Sequence, residues 1–360
     1  MFSNFAGRMR RIFQSGNFSV INKNQFVYIA NQGSNSISQY AVSAQGGLIP
    51  LPYATVKTGT TPVFIAISPS GNYAYVANQG GNNIDQYKIA ADGNLQRSES
   101  PIAAGTAPVA IAIDPAGRYA YAVNNSSNEI SQYQIQKDGL LVALSPATIE
   151  TGAIPVAIAI DPSGKYVYVV NNSSHKIFQY VIADTGCLLS MTPASVETGA
   201  SPRAIAVEPS GRYAYVVNRS GDNISQFEIG TSGVLTPVGS PVAAGKHPIS
   251  ITIAPSGKFA YVCNQNSNSI SQYILAENGR LIPMTPATVE SLVTPVSIAV
   301  DALGKFAYVS NISSNNVSQF ALGERGQLEA IHMNKWGDAS ISAEISPRFV
   351  ATSGLLHTEA

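Results

Sequence analysis

A six-residue block that starts with an aromatic residue, has tyrosine third and ends in asparagine occurs seven times in this chain. The final asparagines of successive blocks lie 46 or 47 residues apart. The seven blocks span residues 26–31, 73–78, 119–124, 166–171, 213–218, 259–264 and 306–311. A unit of this length that recurs along a whole chain predicts a single large domain built from equivalent structural repeats.

Each repeat unit contains four segments that favour β-strands. In the fourth unit, Val156 to Ile160 precedes the block, and the turn sequence Asp161 to Gly164 joins the two. In the third unit, Ile130 to Tyr133 and Leu144 to Gly152 follow the block. Four short strands in each unit, apolar on both faces, are typical of a propeller blade that packs between two neighbours. The sequence therefore predicts an all-β, seven-bladed β-propeller with four antiparallel strands in each blade.

A propeller must join its two ends, and the last part of the chain offers a segment for this purpose. Ile341 to Pro347 resembles the first strand of a repeat, whereas the first unit has only a weak version of that strand at Phe18 to Ile21. We predict that the C-terminal segment pairs with the N-terminal blade, which removes open strand edges; an extra partial blade is the alternative. The predicted propeller occupies residues 17–354, between an N-terminal segment (1–16) and a tail (355–360).

Several departures from the repeat are interpreted as structural. Residues 325–340, which contain the single tryptophan Trp336, are predicted to form a divergent outer strand of the last blade rather than a binding element. Cys263 takes a strand position held by small residues in the other units, which predicts a core residue. Cys187 lies in a different repeat, so a disulfide framework is not expected. The recurring turn residues Asp114, Asp161 and Asp301 are interpreted as turn formers rather than catalytic acids.

Composition narrows the range of partners and locations. Charged residues make up 12% of the chain, about half of the roughly 25% that is usual for soluble domains. Lys plus Arg and Asp plus Glu are balanced at 21 each, so nucleic acid is not expected as a partner. No apolar run approaches the roughly 18 residues of a membrane span, and no secretory signal is recognisable. The predicted location is the cytoplasm, with the periplasm or the exterior as the alternative for a chain that has lost a signal.

The first residues have an amphipathic pattern when they are placed on a helix. One stripe holds the apolar residues Phe2, Phe5, Met9, Ile12 and Phe13, and the opposite side holds Arg8, Arg10 and Arg11. Such a helix can lie on a membrane surface or bind a partner. Because the segment is short, we favour a helix that caps the propeller or a leader without fixed structure.

Residues 17–330 resemble the YVTN-repeat propellers through their Tyr-Val-x-Asn blocks and Pro-Ser-Gly turns. Within that group they are similar to the lactonase-like seven-bladed propellers, which include the 6-phosphogluconolactonases. The fuller motif of that branch is Gly-Pro-Arg-His, then a strand, Tyr-x-Tyr-Val and a loop that carries Glu. Arg203 fits the motif's arginine, whereas Ala204 replaces its histidine and Arg219 stands at the acidic position of the loop. The resemblance therefore implies the propeller fold and one positive charge, without the imidazole.

Basic residues interrupt the otherwise uniform loops on one face of the predicted ring. This face carries the loops after each block and the loops between blades, because antiparallel strands bring both to the same side. The exceptions are Arg203 and Arg219 in the fifth blade, Lys246 and His247 before the sixth, and His175 beside Lys176 in the fourth. Their grouping in three consecutive blades predicts a pocket for a small anion such as a carboxylate or a phosphosugar. Ordinary surface variation, balanced by Asp222, is the alternative.

Three functions follow, in order of preference. The sequence predicts a monomeric, non-catalytic propeller that binds a small anionic ligand or a protein partner on its channel face. The alternative is a 6-phosphogluconolactonase-like hydrolase, in which Arg203 and Lys246 hold the substrate and His247 is the candidate base. The third is a scaffold recruited to a membrane through residues 2–13. The histidines lack metal-ligand spacing, so neither a metal site nor a cofactor is predicted.

Overall fold

The computed structural model describes residues 21–98, 100–331 and 340–353 of the chain. All regular secondary structure in these ranges is β-strand, arranged in seven antiparallel sheets that follow one another along the chain. In the described ranges no helix is long and apolar enough to cross a membrane. The predicted seven-bladed β-propeller is confirmed. The segment 1–16 and the tail 355–360 lie outside the described residues.

The first four blades each contain four or five strands. Blade 1 contains β1 (Ile21–Asn31), β2 (Ser36–Ser43), β3 (Leu48–Lys57) and the last strand of the chain, β31 (Pro347–Ser353). Blade 2 contains β4 (Pro62–Ile67), β5 (Tyr73–Asn78), β6 (Asn83–Ile89), β7 (Leu95–Arg97) and β8 (Ile102–Ala103). Blade 3 contains β9 (Pro108–Ile113), β10 (Tyr119–Asn124), β11 (Glu129–Ile135) and β12 (Leu141–Glu150). Blade 4 contains β13 (Pro155–Ile160), β14 (Tyr166–Asn171), β15 (Lys176–Ile182) and β16 (Leu188–Glu197).

The remaining blades follow the same order. Blade 5 contains β17 (Pro202–Val207), β18 (Tyr213–Asn218), β19 (Asn223–Ile229), β20 (Leu235–Pro237) and β21 (Val242–Ala243). Blade 6 contains β22 (Pro248–Ile253), β23 (Phe259–Asn264), β24 (Ser269–Leu275) and β25 (Leu281–Glu290). Blade 7 contains β26 (Pro295–Val300), β27 (Phe306–Asn311), β28 (Asn316–Leu322), β29 (Leu328–Ala330) and β30 (Ser340–Ser342). The outer strand is therefore continuous in blades 1, 3, 4 and 6 and divided into two pieces in blades 2, 5 and 7.

The ring closes as predicted, because the C-terminal strand β31 pairs antiparallel with β1 of the N-terminal blade. The predicted boundary of that strand was wrong. Ile341 belongs to β30, an outer strand of blade 7, and the inner strand begins only at Pro347. Each of the other inner strands also begins at a proline, so the proline marks the start of the strand and not its end. The predicted divergent outer strand corresponds to β29 and β30, which both pair with β28; Trp336 lies outside the described residues.

The block's tyrosine explains how neighbouring blades are joined. Its buried hydroxyl donates a hydrogen bond to a glycine carbonyl in the next blade around the ring. The seven pairs are Tyr28–Gly93, Tyr75–Gly139, Tyr121–Gly186, Tyr168–Gly233, Tyr215–Gly279, Tyr261–Gly326 and Tyr308–Gly46. The last pair links blade 7 to blade 1. Buried polar groups need such partners, so a repeated tyrosine fastens every blade to its neighbour.

A repeated glutamine provides a second link between blades. In blade 3, the side-chain oxygen of Gln132 accepts a hydrogen bond of 2.7 Å from the backbone N–H of Leu188 in blade 4. Its amide nitrogen donates to the carbonyl of Pro146 in its own outer strand at 3.0 Å. The equivalent oxygen in the other six blades also accepts from a leucine of the next blade. The Gln-aromatic motif of the repeat is therefore structural.

Two structural interpretations made from sequence are confirmed by contacts. Oδ1 of Asp161 accepts hydrogen bonds from the backbone N–H groups of Lys165 at 2.9 Å and Tyr166 at 2.7 Å, as a turn former should. Cys263 is buried in the core, and both it and Cys187 are free thiols. Asp114 and Asp301 accept the same pair of backbone bonds in their own turns.

Candidate functional site

The central channel contains a cavity of about 470 Å³ that is lined by inner strands from all seven blades. We call it the channel cavity. Because the inner strands begin at equivalent prolines, equivalent residues of the repeat form rings around it. The ring immediately after the prolines consists of Val63, Val109, Val156, Arg203, Ile249, Val296 and Arg348. Two guanidinium groups therefore enter a layer that is otherwise aliphatic.

Positive charge is concentrated in this layer without compensation. Burial lowers the pKa of Arg203 to about 10, and the positive charges of Arg348 and Arg219 add to the effect. Burial and the charge of Arg219 likewise lower the pKa of Arg348. Within the described ranges, none of the three guanidinium groups has an ion pair or a hydrogen bond. Arg203 and Arg348 are half-buried, and a charge that loses water without a partner is costly, so the layer favours an anion.

The next layer of the cavity is asymmetric. Phe64 of blade 2 and Phe349 of blade 1 contact each other, with ring centroids 4.0 Å apart. The same position is small in the other five blades, where it holds Ala110, Ala157, Ala204, Ser250 and Ser297. The aromatic pair thus narrows one side of the channel and leaves space on the other. The uncharged polar side chains that line the cavity are Gln79, Ser250, Thr252 and Thr352.

Sequence reasoning identified Arg203 and Arg219 but missed Arg348. Arg203 lines the channel cavity. Arg219 is exposed in the loop after the block of blade 5, close enough to affect both inner arginines. The missed residue had a signal in the sequence, because Ser346-Pro347-Arg348 repeats the tripeptide Ser201-Pro202-Arg203. Ending the predicted strand at Pro347 placed Arg348 outside the repeat and hid this match.

Lys246 and His247 contact Asp222 and do not line the channel cavity. The Lys246 ammonium is 2.8 Å from Asp222 Oδ2, and the backbone N–H of His247 donates to Asp222 Oδ1 at 2.8 Å. These two contacts lower the pKa of the Asp222 carboxyl. Nδ1 of His247 is buried and has no hydrogen-bond partner among the described residues. The Asp222 charge thus balances Lys246, and a ligand-binding role for Lys246 or His247 stays a prediction.

His175 occupies a position with a structural task in the repeat. Its Nδ1 accepts a hydrogen bond of 3.0 Å from the backbone N–H of Ser201, which leads into blade 5. The other blades make the same link from Asn35, Asn82, Asn128, Asp222, Asn268 and Asn315. His175 does not line the channel cavity, so of the five predicted basic residues only Arg203 does. Its role in ligand binding also stays a prediction.

Comparison with known proteins identifies the family of the repeat. The family profile described as lactonase, 7-bladed beta-propeller, matches residues 5–110, 102–197 and 187–285. Together these matches cover most of the chain. A search of curated protein sequences found no match.

Solved structures share the fold at low sequence identity. A 6-phosphogluconolactonase candidate from Bacteroides fragilis superposes with a TM-score of 0.80 at 19% identity, covering 92% of this chain and 98% of that one. The periplasmic gluconolactonase of Pseudomonas aeruginosa gives 0.77 at 20% identity, covering 92% and 99%. Hydrazine synthase of Kuenenia stuttgartiensis gives 0.64 at 20% identity, covering 82% and 91%. Since proteins of such different names share the architecture, the likeness establishes the fold alone.

Proposed function

Because this chain belongs to the family of seven-bladed β-propeller lactonases, we propose that its channel cavity binds a small organic anion. One observation carries the proposal: Arg203 and Arg348 face the same cavity, and neither has a partner among the described residues. Five of the seven equivalent positions are aliphatic, so the fold itself does not require an arginine there. A carboxylate or phosphate would supply the missing hydrogen-bond acceptors and cancel the repulsion between the two charges.

Binding without catalysis is favoured by the rest of the lining. The side chains that surround the cavity in the described residues include no carboxylate and no imidazole. Hydrolysis of a lactone benefits from a general base within hydrogen-bond reach of the attacking water. His247, the candidate base, lies outside the lining. The residue at the position of the family motif's histidine is Ala204, which cannot exchange protons.

A lactone hydrolase remains the second candidate because the family takes its name from lactonase activity. In that case Arg203 and Arg348 would hold the anionic part of the substrate or stabilise the oxyanion that forms at the lactone carbonyl. Both roles use the same two guanidinium groups. Measurement of both binding and turnover therefore separates the two functions.

The test is a calorimetric titration of the full chain with phosphate, gluconate and 6-phosphogluconate, together with an assay of gluconolactone and 6-phosphogluconolactone hydrolysis. Arg203→Val and Arg348→Val place the residue of the neighbouring blades at each position, and each should weaken anion binding about 10- to 100-fold. Arg219→Gln, which introduces the residue of blades 1, 2 and 6, should weaken it less. Equal affinities in wild type and both Val variants would refute the site. Hydrolysis that exceeds the buffer rate and is lost in these variants would instead establish the lactonase.

Three further expectations from the sequence accompany this proposal: the cellular compartment, the oligomeric state and a protein partner on the channel face as the alternative to a small ligand. We retain the cytoplasm and a monomeric propeller as expectations from the sequence. The structural neighbour from Pseudomonas aeruginosa is described as periplasmic, so the periplasm remains the alternative compartment for this chain. Fractionation of cells and sedimentation of the purified protein test the two points.

A further inference from the structure

An apolar surface lies at the rim of the channel near Arg348. It consists of Leu292 and Val293 in the loop leading into blade 7, Ile312 after the block of blade 7, and Ile345 in the loop leading into blade 1. We call these four residues the apolar lip. Leu292 is 38% exposed, Val293 51% and Ile345 58%, and Ile312 is half-buried. Blades 7 and 1 are neighbours in the ring, so the lip is one sector of the rim.

The repeat shows that the fold does not demand these apolar residues. In the loops leading into blades 2 to 6, the position of Leu292 is always glycine, at 59, 105, 152, 199 and 245. The position of Val293 and Ile345 holds Thr60, Thr106, Ala153, Ala200 and Lys246. The position of Ile312 is polar or charged in the other six blades. The loop hydrogen bonds are nevertheless the same, as the bond of 3.0 Å from Ile312 N to the Thr294 carbonyl illustrates.

The lip continues into the channel cavity. Val293 precedes the cavity residue Val296 by three positions, and Ile345 precedes Arg348 by three positions. Three residues span at most about 10 Å even when fully extended. A molecule whose charged group reaches Arg348 therefore lies within the length of a short alkyl chain of the lip.

We propose that the ligand of the channel cavity is an amphipathic carboxylate, with its carboxylate on Arg203 and Arg348 and an aliphatic tail on the apolar lip. This inference rests on the proposed function and adds the chemical class of the ligand. Exposed apolar side chains grouped beside a charged pocket mark a binding surface. A methylene chain gains from covering them, because both apolar surfaces leave water. A fully hydroxylated tail gains nothing there, since each hydroxyl that loses water needs a new partner.

The departures from the repeat support one site rather than two. The cationic departures Arg203, Arg219 and Arg348 and the apolar lip all lie at the same end of the inner strands. Ile345 lies in the loop leading into blade 1, and Arg348 follows it by three positions as the second residue of β31. Charged and apolar departures from the repeat thus occur around one opening.

The test compares butanoate, hexanoate and octanoate below their micelle concentrations, by calorimetric titration of the full chain. Wild type should bind more tightly with each added methylene, by about two- to fourfold. The variant Leu292→Gly/Val293→Thr/Ile345→Thr carries residues that other blades have at these positions and should fold normally. It should bind butanoate as wild type does and lose most of the dependence on chain length. Ile154→Thr, which removes an apolar residue that is 43% exposed in the loop leading into blade 4, should keep the full dependence.

The outcomes separate this inference from the function it rests on. If butanoate, gluconate and phosphate bind and affinity does not rise with chain length, the amphipathic ligand is refuted while the anion site stands. If no anion binds, both are refuted. If the triple variant alters sedimentation but not the chain-length dependence, the lip joins two copies of the chain and the inference is wrong. Octan-1-ol, which lacks the charge, should bind at least tenfold more weakly than octanoate.

Discussion

The backbone N–H of Ser201 and Nδ1 of His175 form a hydrogen bond of 3.0 Å that links blade 5 to the loop of blade 4. Both residues have left-handed backbone conformations, with φ of 51° for Ser201 and 55° for His175. The same pair of left-handed residues recurs in all seven blades, although such angles are uncommon outside glycine. The hydrogen bond holds the two loops in this geometry, so a histidine predicted to bind a ligand makes the same structural contact that asparagine makes in five other blades.

A substitution series at His175 measures the strength of this link. His175→Asn supplies the acceptor used by most blades and should leave the free energy of unfolding within about 0.5 kcal/mol of wild type. His175→Ala removes the acceptor and should cost about 1 kcal/mol. Urea unfolding followed by tyrosine fluorescence measures both. Equal stabilities of the Asn and Ala variants would show that the link contributes nothing.

The tyrosine that bonds across the ring closure should be more important than an exposed tyrosine. The hydroxyl of Tyr308 donates to the carbonyl of Gly46 at 2.9 Å, between the last blade and the first. Tyr308→Phe leaves that carbonyl buried and unpaired, at a cost of about 1–3 kcal/mol. Tyr53→Phe is the control, because its side chain is 73% exposed and should change stability by less than about 0.5 kcal/mol. Thermal unfolding of the two variants beside wild type is the measurement, and indistinguishable midpoints would contradict the role assigned to Tyr308.

The pair of Asp222 and Lys246 should make a pH-dependent contribution to stability. The ammonium of Lys246 and the N–H of His247 lower the pKa of the Asp222 carboxyl in the folded state. A lowered acid pKa stabilises the fold above the unfolded value of about 3.9, and the stabilisation disappears as the pH falls through the folded value. Asp222→Asn keeps an acceptor for the His247 N–H and removes the charge. Wild type should therefore exceed this variant by about 0.5 kcal/mol at pH 6, and the advantage should be smaller at pH 3, below the unfolded value. Urea unfolding at the two pH values tests this, and a constant difference would refute it.

The fold was largely predictable from sequence because each repeated residue has a repeated contact. Tyr168 and Gln132 recur because they bond to the next blade, and Asp161 recurs because it closes a turn. Because the repeat occurs seven times, each such residue recurs at equivalent positions and can be recognised in the sequence. The start of the closing strand was mispredicted because the residues before Pro347 look like a strand that ends at this proline. This segment occurs once, so the prediction could not be checked against equivalent segments in other repeats.

The candidate site was predictable only in part. Arg203 stood out because it is a basic residue in a part of the repeat that is otherwise uniform and uncharged. Lys246 and His175 stood out for the same reason, but Asp222 and Ser201 are their partners. Whether a basic side chain is paired depends on contacts between loops that are about 25 residues apart in sequence, and no local pattern contains that information. That Arg203 and Arg348 have no partner among the described residues emerged only when the ring placed them around one cavity.

Removing the half-buried positive charges should stabilise the protein and weaken its binding of the ligand. Arg203 and Arg348 are partly desolvated and repel each other and Arg219, which lowers the pKa of both inner groups. Arg203→Val and Arg348→Val restore the aliphatic ring of the other blades, so each should raise the free energy of unfolding by about 1–3 kcal/mol in the absence of ligand. The solvent-exposed Arg219→Gln should raise it by less than about 0.5 kcal/mol. Saturating anion should stabilise wild type but neither Val variant, because only the wild-type site binds it. Thermal unfolding with and without phosphate measures both effects. If the Val substitutions instead destabilise the protein, the arginines stabilise the fold, and the prediction is wrong.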